Sequence, residues 1–276
     1  MTFAHLDFAH NPFLNRFVDI IYCIHNVKNE LEYKTIPNGF IGLSIISSGK
    51  AHIKMNLEWE KVPKLSIFGM GEKPYEIKIS NDYKEISIGF KPYHFNLFIN
   101  HDLAEFTKGK VIDAIDVFEP SSLEHLYDQI TANPSEHHVI ENLSIFFKAH
   151  FLSKKENQLV LFATKLIYEN ETNKVEELAR KLNVSAVTVR NLFNQHIGVT
   201  PKELIKITRT HKALQYQKQH LQTLTELGLS LGYFDQSHFI REFKSIIGVS
   251  PKEYFKNKKL AFDFYNYGRW LSDNFA

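Results

Sequence analysis

The sequence predicts an α+β chain: an N-terminal strand-rich barrel or sandwich with following helices, then an all-helical C-terminal half built on an internal duplication. Three observations predict it. Apolar residues alternate at period two between about 17 and 91, they recur at helical spacing from Pro92 onward, and the hexapeptide GVTPKE at 198–203 returns as GVSPKE at 248–253.

The strands come first. Ile41, Leu43 and Ile45, then Ile53, Met55 and Leu57, then Ile77 and Ile79, then Ile86 and Ile88 alternate as half-buried strands do. Turn signals divide them at Pro37-Asn38-Gly39, Ser48-Gly49, Pro63, Gly69 to Pro74, and Asn81-Asp82. About five or six short strands divided this way suggest a small antiparallel barrel or sandwich. Cys23, alone in the sequence, sits in the apolar run FVDIIYCIH and reads as a buried strand residue; a single thiol forms neither an internal disulfide nor a cysteine metal site.

After Pro92 the segment PYHFNLFIN reads as helical, and Ser121 and Glu124 have capping-box spacing for a helix after Pro120. Val139, Leu143, Phe146, Phe147 and Phe151 form a helical stripe that is either core of its own domain or a subunit contact. From 156 only helical patterns follow: Leu159, Phe162, Ala163, Leu166 and Ile167 on one face, then Val175, Leu178, Ala179 and Leu182 in a short helix that Asn173 could cap with Glu176, then a helix from Ser185. The change of period places a domain boundary near 150–157.

With 276 residues, 43% of them hydrophobic, the chain has material for two domains, and its 23 Phe and 12 Tyr exclude a disordered one. The net charge of +2 conceals an asymmetry: residues 171–260 carry 15 Lys and Arg against 8 Asp and Glu, and the remainder carries 18 against 23. A basic module joined to an acidic one suits binding of a polyanion. The N-terminal MTFAHLDFAHNPF has no secretion pattern and no stretch reaches the ~18 apolar residues of a membrane helix, so the expectation is a soluble, cytoplasmic protein without a membrane partner. No Gly-rich phosphate loop, nucleophile elbow or HExxH pattern occurs, so neither an enzyme nor a cofactor is expected. His94, His101 and the histidines of EHHVIE at 136–141 read as ordinary surface and core residues, and no metal is expected.

The repeat extends backwards from the hexapeptides. Ile197 aligns with Ile247, Phe193 with Phe243 and Val189 with Phe239 at an offset of 50; Leu178 and Leu182 align with Leu227 and Leu231 at 49. The unit is a short helix, a tight turn, a second helix and the hexapeptide, which is the helix-turn-helix pattern. Within the hexapeptides Gly198 and Gly248 suit a left-handed helix end, Thr200 and Ser250 suit caps, Pro201 and Pro251 suit a first helical position, and Glu203 and Glu253 complete capping boxes. Between the units TPKELIKITRTHKALQYQKQ reads as one helix of about 18 residues, roughly 27 Å long.

The second copy, LGLSLGYFDQSHFIREFKSIIGVSPKEYF, carries Gly-aromatic-x-Asp-Gln-Ser-His-Phe, then Arg241, Phe243, Gly248, Pro251 and Tyr254. In this it resembles the DNA-binding domain of the AraC/XylS family of bacterial transcription regulators, over about 157–258. The first copy departs from the family pattern at Asn191 and Leu204, and the second has Gly228 in place of the usual Ala. The resemblance implies an effector-sensing or dimerisation domain at 1–155, for which a cupin-like barrel is one family form, a DNA-binding domain at 156–258, and a C-terminal extension at 259–276. Implied partners are double-stranded promoter DNA, RNA polymerase, a small-molecule effector and a second copy of the chain.

Helical geometry separates the faces of the recognition helices, about 185–197 and 235–247. One face collects Val189, Leu192, Phe193 and Ile197, leaving Val187, Arg190, Asn191 and Asn194 outside; in the second copy Ser237, Ile240, Arg241 and Lys244 stay outside. Base contacts are therefore expected from Val187, Arg190, Asn191, Asn194, Ser237, Ile240 and Arg241, with Gln236 and His238 added by the resemblance; Arg suits guanine, Asn and Gln suit adenine, and aliphatic groups suit a thymine methyl. Phosphate contacts are expected from Lys202, Lys206, Arg209, Lys212, Lys244 and Lys252. The alternative is a ligand- or partner-binding protein whose helices recognise no specific DNA.

Overall fold

The computed structural model describes residues 1–256 apart from 56, 72, 102, 104–109, 170 and 220–222; the expected extension at 259–276 lies outside the described residues. Ten strands precede the long helices. In chain order they are β1 (Thr2–His5), β2 (Val18–His25), β3 (Leu31–Thr35), β4 (Gly42–Ser48), β5 (Ala51–Met55), β6 (Glu58–Lys61), β7 (Leu65–Phe68), β8 (Tyr75–Ile79), β9 (Lys84–Phe90) and β10 (Val111–Asp113), with one short helix, α1 (Pro12–Phe17), before β2. They form two antiparallel sheets, β1-β2-β9-β4-β7-β10 and β3-β8-β5-β6. The chain is α+β, as its period change predicts.

The larger sheet is buried on both faces, for different reasons. Leu43 lies opposite Ile67 and Ile88, and Ile45 opposite Ile86, giving an apolar face on which the next two helices pack. These are α2 (Pro120–Ala132) and α3 (Glu136–Ala149). The opposite face carries a cross-strand row, Tyr22–Ser87–Ser44–Ser66, turned toward the smaller sheet. The stripe on α3 belongs to this chain's own core: Val139, Leu143 and Phe147 are 0% exposed, and Phe118, Phe146 and Phe147 meet edge to face.

Several local expectations need correction. Leu57 is not a strand residue; it sits at φ 76 in the turn after β5 and is exposed. PYHFNLFIN yields only a short 3-10 turn, His94–Leu97. Glu119, not Ser121, caps α2, accepting from the Ser122 amide at 2.8 Å, because Pro120 itself fills the first helical position.

Seven further helices follow: α4 (Gln158–Tyr168), α5 (Val175–Lys181), α6 (Ala186–His196), α7 (Pro201–Gln219), α8 (Leu224–Ser230), α9 (Gln236–Ile247) and α10 (Pro251–Lys256). On α4 the buried face is Val160, Ala163, Leu166 and Ile167, and Leu159 and Phe162 stand outside it. Lys174, not Asn173, occupies the cap position of α5, without a side-chain cap bond.

Two apolar cores result. The first runs from the sheets through α2 and α3 into α4, α5 and α6, and includes Leu204 and Ile205 at the start of α7. The second gathers α8, α9 and α10 around Ile207, Ala213 and Leu214 of α7, and takes in Ile36 from the loop after β3. Helix α7 is thus anchored in both. Beside Ile36, the Pro37 carbonyl accepts from Nε2 of the buried His211 at 2.6 Å. At the other end, Asn157 approaches His196 at 3.4 Å, and the Tyr93 ring meets the His196 ring edge on.

Candidate nucleic-acid interface

The duplicated unit has duplicated geometry. In the first copy the turn after α5 passes through Asn183 at φ 54, and the Val184 amide donates back to the Ala179 carbonyl at 3.0 Å. In the second, Gly232 at φ 77 takes the same role and the Tyr233 amide donates to the Gly228 carbonyl, also at 3.0 Å. Asn and Gly are the residues that accept this left-handed conformation most readily. The following helices are capped by Ser185, which accepts from the Thr188 amide at 3.0 Å, and by Asp235, which accepts from the His238 amide at 2.7 Å.

The aligned apolar pairs are buried in both copies: Leu178 and Leu227, Val189 and Phe239, Phe193 and Phe243, Ile197 and Ile247 are all at 0–1% exposure. The Gly228 departure now has a cause. A methyl there would lie 3.2 Å from Cβ of Phe239, so the second copy combines a smaller residue on α8 with a larger one on α9 where the first has Ala179 and Val189. The first hexapeptide behaves as its residues predict, and the second forms the left-handed turn and one of the two capping bonds. Gly198 and Gly248 stand at φ 86 and 88; Thr200 and Glu203 exchange both capping bonds, and Glu253 donates its amide to Ser250 at 3.3 Å.

On the outward faces, Val187, Arg190, Asn191 and Asn194 on α6 are exposed, as are Gln236, Ser237 and Arg241 on α9; His238 and Ile240 are half-buried. Between the two units lies an open groove of about 570 Å³, lined by Lys174, Arg190, Lys202, Lys206, Phe234 and His238 among others. Lys202, Lys244 and Lys252 are exposed and Lys206 is half-buried.

Two of the expected phosphate contacts fit the structure poorly. Arg209 is 5% exposed: Nε donates to Glu242 Oε1 at 2.9 Å, a second guanidinium nitrogen donates to the same oxygen, and the group lies 3.9 Å from the centre of the Tyr233 ring. It is a buried link between α7 and α9, not a free surface cation. Lys212 is half-buried, and burial pushes its amine down to about 8 against the opposing pull of Glu169. Sequence reasoning also missed two groove residues. Lys174 lies just before α5 and was not singled out, and Phe234, 89% exposed, is the one extra residue that changes the repeat offset from 49 to 50.

Two short helices joined by a left-handed turn, the second carrying its polar face outward, define a helix-turn-helix protein, here with the unit present twice. Residues 178–257 match the family described as Helix-turn-helix domain, and residues 8–112 match a Domain of unknown function (DUF6597). An uncharacterized HTH-type transcriptional regulator of Haemophilus influenzae is 31% identical over 86 residues, covering 31% of this chain and 29% of that one. The uncharacterized HTH-type transcriptional regulator YtdP of Bacillus subtilis is 23% identical over 178 residues, covering 61% of this chain and 23% of that one. The chain therefore spans less than a third of the length of these relatives. A crystal structure of ToxT from Vibrio cholerae is similar over 87% of this chain and 98% of that one, at 14% identity and TM-score 0.48. Over its C-terminal helices the chain is thus similar to HTH-type transcriptional regulators.

Among the described residues no group of three or more His, Cys, Asp or Glu is placed to hold a metal, and no helix is long and apolar enough to cross a membrane.

Proposed function

We propose that this chain is a sequence-specific DNA-binding regulator that reads a bipartite promoter site with α6 and α9, under the control of its N-terminal sheets. The observation that carries the proposal is the pair of matching units, each burying the same positions and presenting a polar helix face beside a cationic groove. Helix α7, 19 residues and so roughly 28 Å long, separates the two readers by a distance suited to adjacent major grooves ~34 Å apart. Arg190 and Arg241 are the principal base readers, with Val187, Asn191, Asn194, Gln236, Ser237, His238 and Ile240 beside them. Lys202, Lys206, Lys244 and Lys252 hold phosphates.

Control has a route in the fold. The end of β3 and the loop after it contribute Thr35, Ile36 and Asn38 to the wall of an inter-sheet cavity, and the same loop sets Ile36 and Pro37 against α7 and the second core. The experiment is selection of bound sequences from random DNA with the full chain, followed by mobility shifts across a salt series. A two-part motif with steep salt dependence is expected; equal binding to selected and random DNA would reject the reading.

A further inference from the structure

Between the two sheets lies a cavity of about 70 Å³, lined by residues of both. Roughly 10–15 Å³ of such space holds one water, so it accommodates about five to seven non-hydrogen atoms. Its floor includes Ser44 and Ser66, 4% and 1% exposed, where strand alternation would otherwise put core residues, and Ser87, 0% exposed, stands beside Ser44 in the same cross-strand row. Small hydroxyls at the centre of a sandwich leave space, and the space has a chemical character.

That character comes from Glu85. Ser44 and Ser87 each donate to its Oε1 at 2.6 Å, and the Tyr83 hydroxyl donates to its Oε2 at 3.0 Å. The hydroxyls orient the carboxylate but bring no positive charge to balance it. Among the described residues the cavity lining contains this one carboxylate and no Lys, Arg or His. Around it stand the rings of Tyr22, Tyr33, Phe40, Phe68, Tyr75 and Tyr83. The phenols of Tyr22, Tyr33 and Tyr83 are held well above their usual range, first by burial and next by the charge of Glu85.

A carboxylate fixed in a box of aromatic faces is complementary to a compact organic cation, which the charge attracts and the ring quadrupoles receive. A ligand carboxylate would meet like charge. We infer that the inter-sheet cavity binds a small organic cation, an alkylammonium of about five to seven heavy atoms, with Glu85 as its counter-ion. The inference rests on the reading of the N-terminal sheets as the controlling half, and it names the ligand class. Occupancy acts on Thr35, Ile36 and Asn38 in the cavity wall, and through Ile36 and Pro37 on the α7 that separates the DNA readers.

The test uses the full chain with tetramethylammonium and choline, with 3,3-dimethylbutanol as the neutral isostere of choline, and with hexanoate as an anion. Calorimetry and thermal melts at millimolar ligand read binding. At least one of the two cations binds and raises the melting temperature, the isostere binds at least tenfold more weakly than choline, and hexanoate has no effect. Glu85→Gln weakens cation binding at least tenfold while still shifting DNA. If that variant does not fold, the choline and isostere comparison on the unaltered chain decides the matter alone. Absence of a shift with either cation, or equal binding of choline and its isostere, overturns the inference. A mobility shift on selected DNA separates the two proposals: intact DNA binding without cation binding removes only the ligand class, and cation binding without DNA preference removes only the regulatory reading.

Discussion

Replacing Glu242 by alanine removes one member of an ion pair whose side chains are 6% and 7% exposed. At the 2.9 Å separation of Arg209 Nε and Glu242 Oε1, an effective dielectric of about 20 gives a gross attraction of ~6 kcal/mol. Desolvating the two groups offsets much of it, so the pair adds little beyond what two well-packed apolar residues would. Breaking it is another matter. Arg209 would remain buried, with the Tyr233 face 3.9 Å away as its remaining contact for charge among the described residues, and a buried charge stripped of its partner costs about 3–5 kcal/mol. Urea unfolding followed by helical circular dichroism is the assay. Glu242→Ala is expected to lose ~3–5 kcal/mol, and the double change Arg209→Met with Glu242→Leu to recover most of it. A single-variant loss below ~1 kcal/mol, or a double variant no better than the sum of the singles, would refute the argument.

Other outcomes follow from the same structure. Arg190→Ala and Arg241→Ala should each relax discrimination at one base by ~1–3 kcal/mol in competition with single-base variants while the melting curve is retained; unchanged preference rejects them as readers. Lys202→Ala should lower affinity about equally for all sequences and flatten the salt slope by about one unit. Gly248→Ala forces a side chain into φ 88 with Pro74 3.1 Å from the new methyl, and should cost ~1–2 kcal/mol by urea unfolding. Burial, aided by Lys91 and Arg16, lowers the His94 pKa to about 4. The unfolded chain then takes up a proton near pH 6.5 that the folded chain refuses, so stability present above that pH falls as pH drops toward 4, by up to ~3 kcal/mol. His94→Phe should flatten that limb of the pH–stability curve, and an unchanged limb would assign it to other groups.

What the sequence disclosed, and what it hid, divides along physical lines. The duplicated unit was legible because its signals are local: a left-handed glycine, a capping box and apolar residues four apart say the same thing twice. Helix α7 was legible as a helix but not as to its surroundings. Its stretch Thr208-Arg209-Thr210-His211 is polar by composition and yet 0–5% exposed, because neighbours cover it on several sides and the partners that make this tolerable, Glu242 and Pro37, lie 33 and 174 residues away. No period reports that. The N-terminal edge strands were hidden for the opposite reason: β6 is exposed at all four residues and β1 is half-buried at most, so their pairing leaves no alternation to read. Ser44 and Ser66 are polar by composition, and only the second sheet opposite makes them an interior wall.

If α6 and α9 read two half-sites, the double anchorage of α7 bears on the DNA as much as on the protein. A strut clamped in one core by Leu204 and Ile205 and in another by Ile207, Ala213 and Leu214 has a fixed length and a fixed twist between its ends. One base pair inserted between half-sites would move the far one by about 3.4 Å and swing it by roughly 35° around the duplex axis. A chain held this way has no slack to follow such a move. The spacing of its operators would then be written in the number of residues in one helix, and a promoter could change its bases far more freely than its phase.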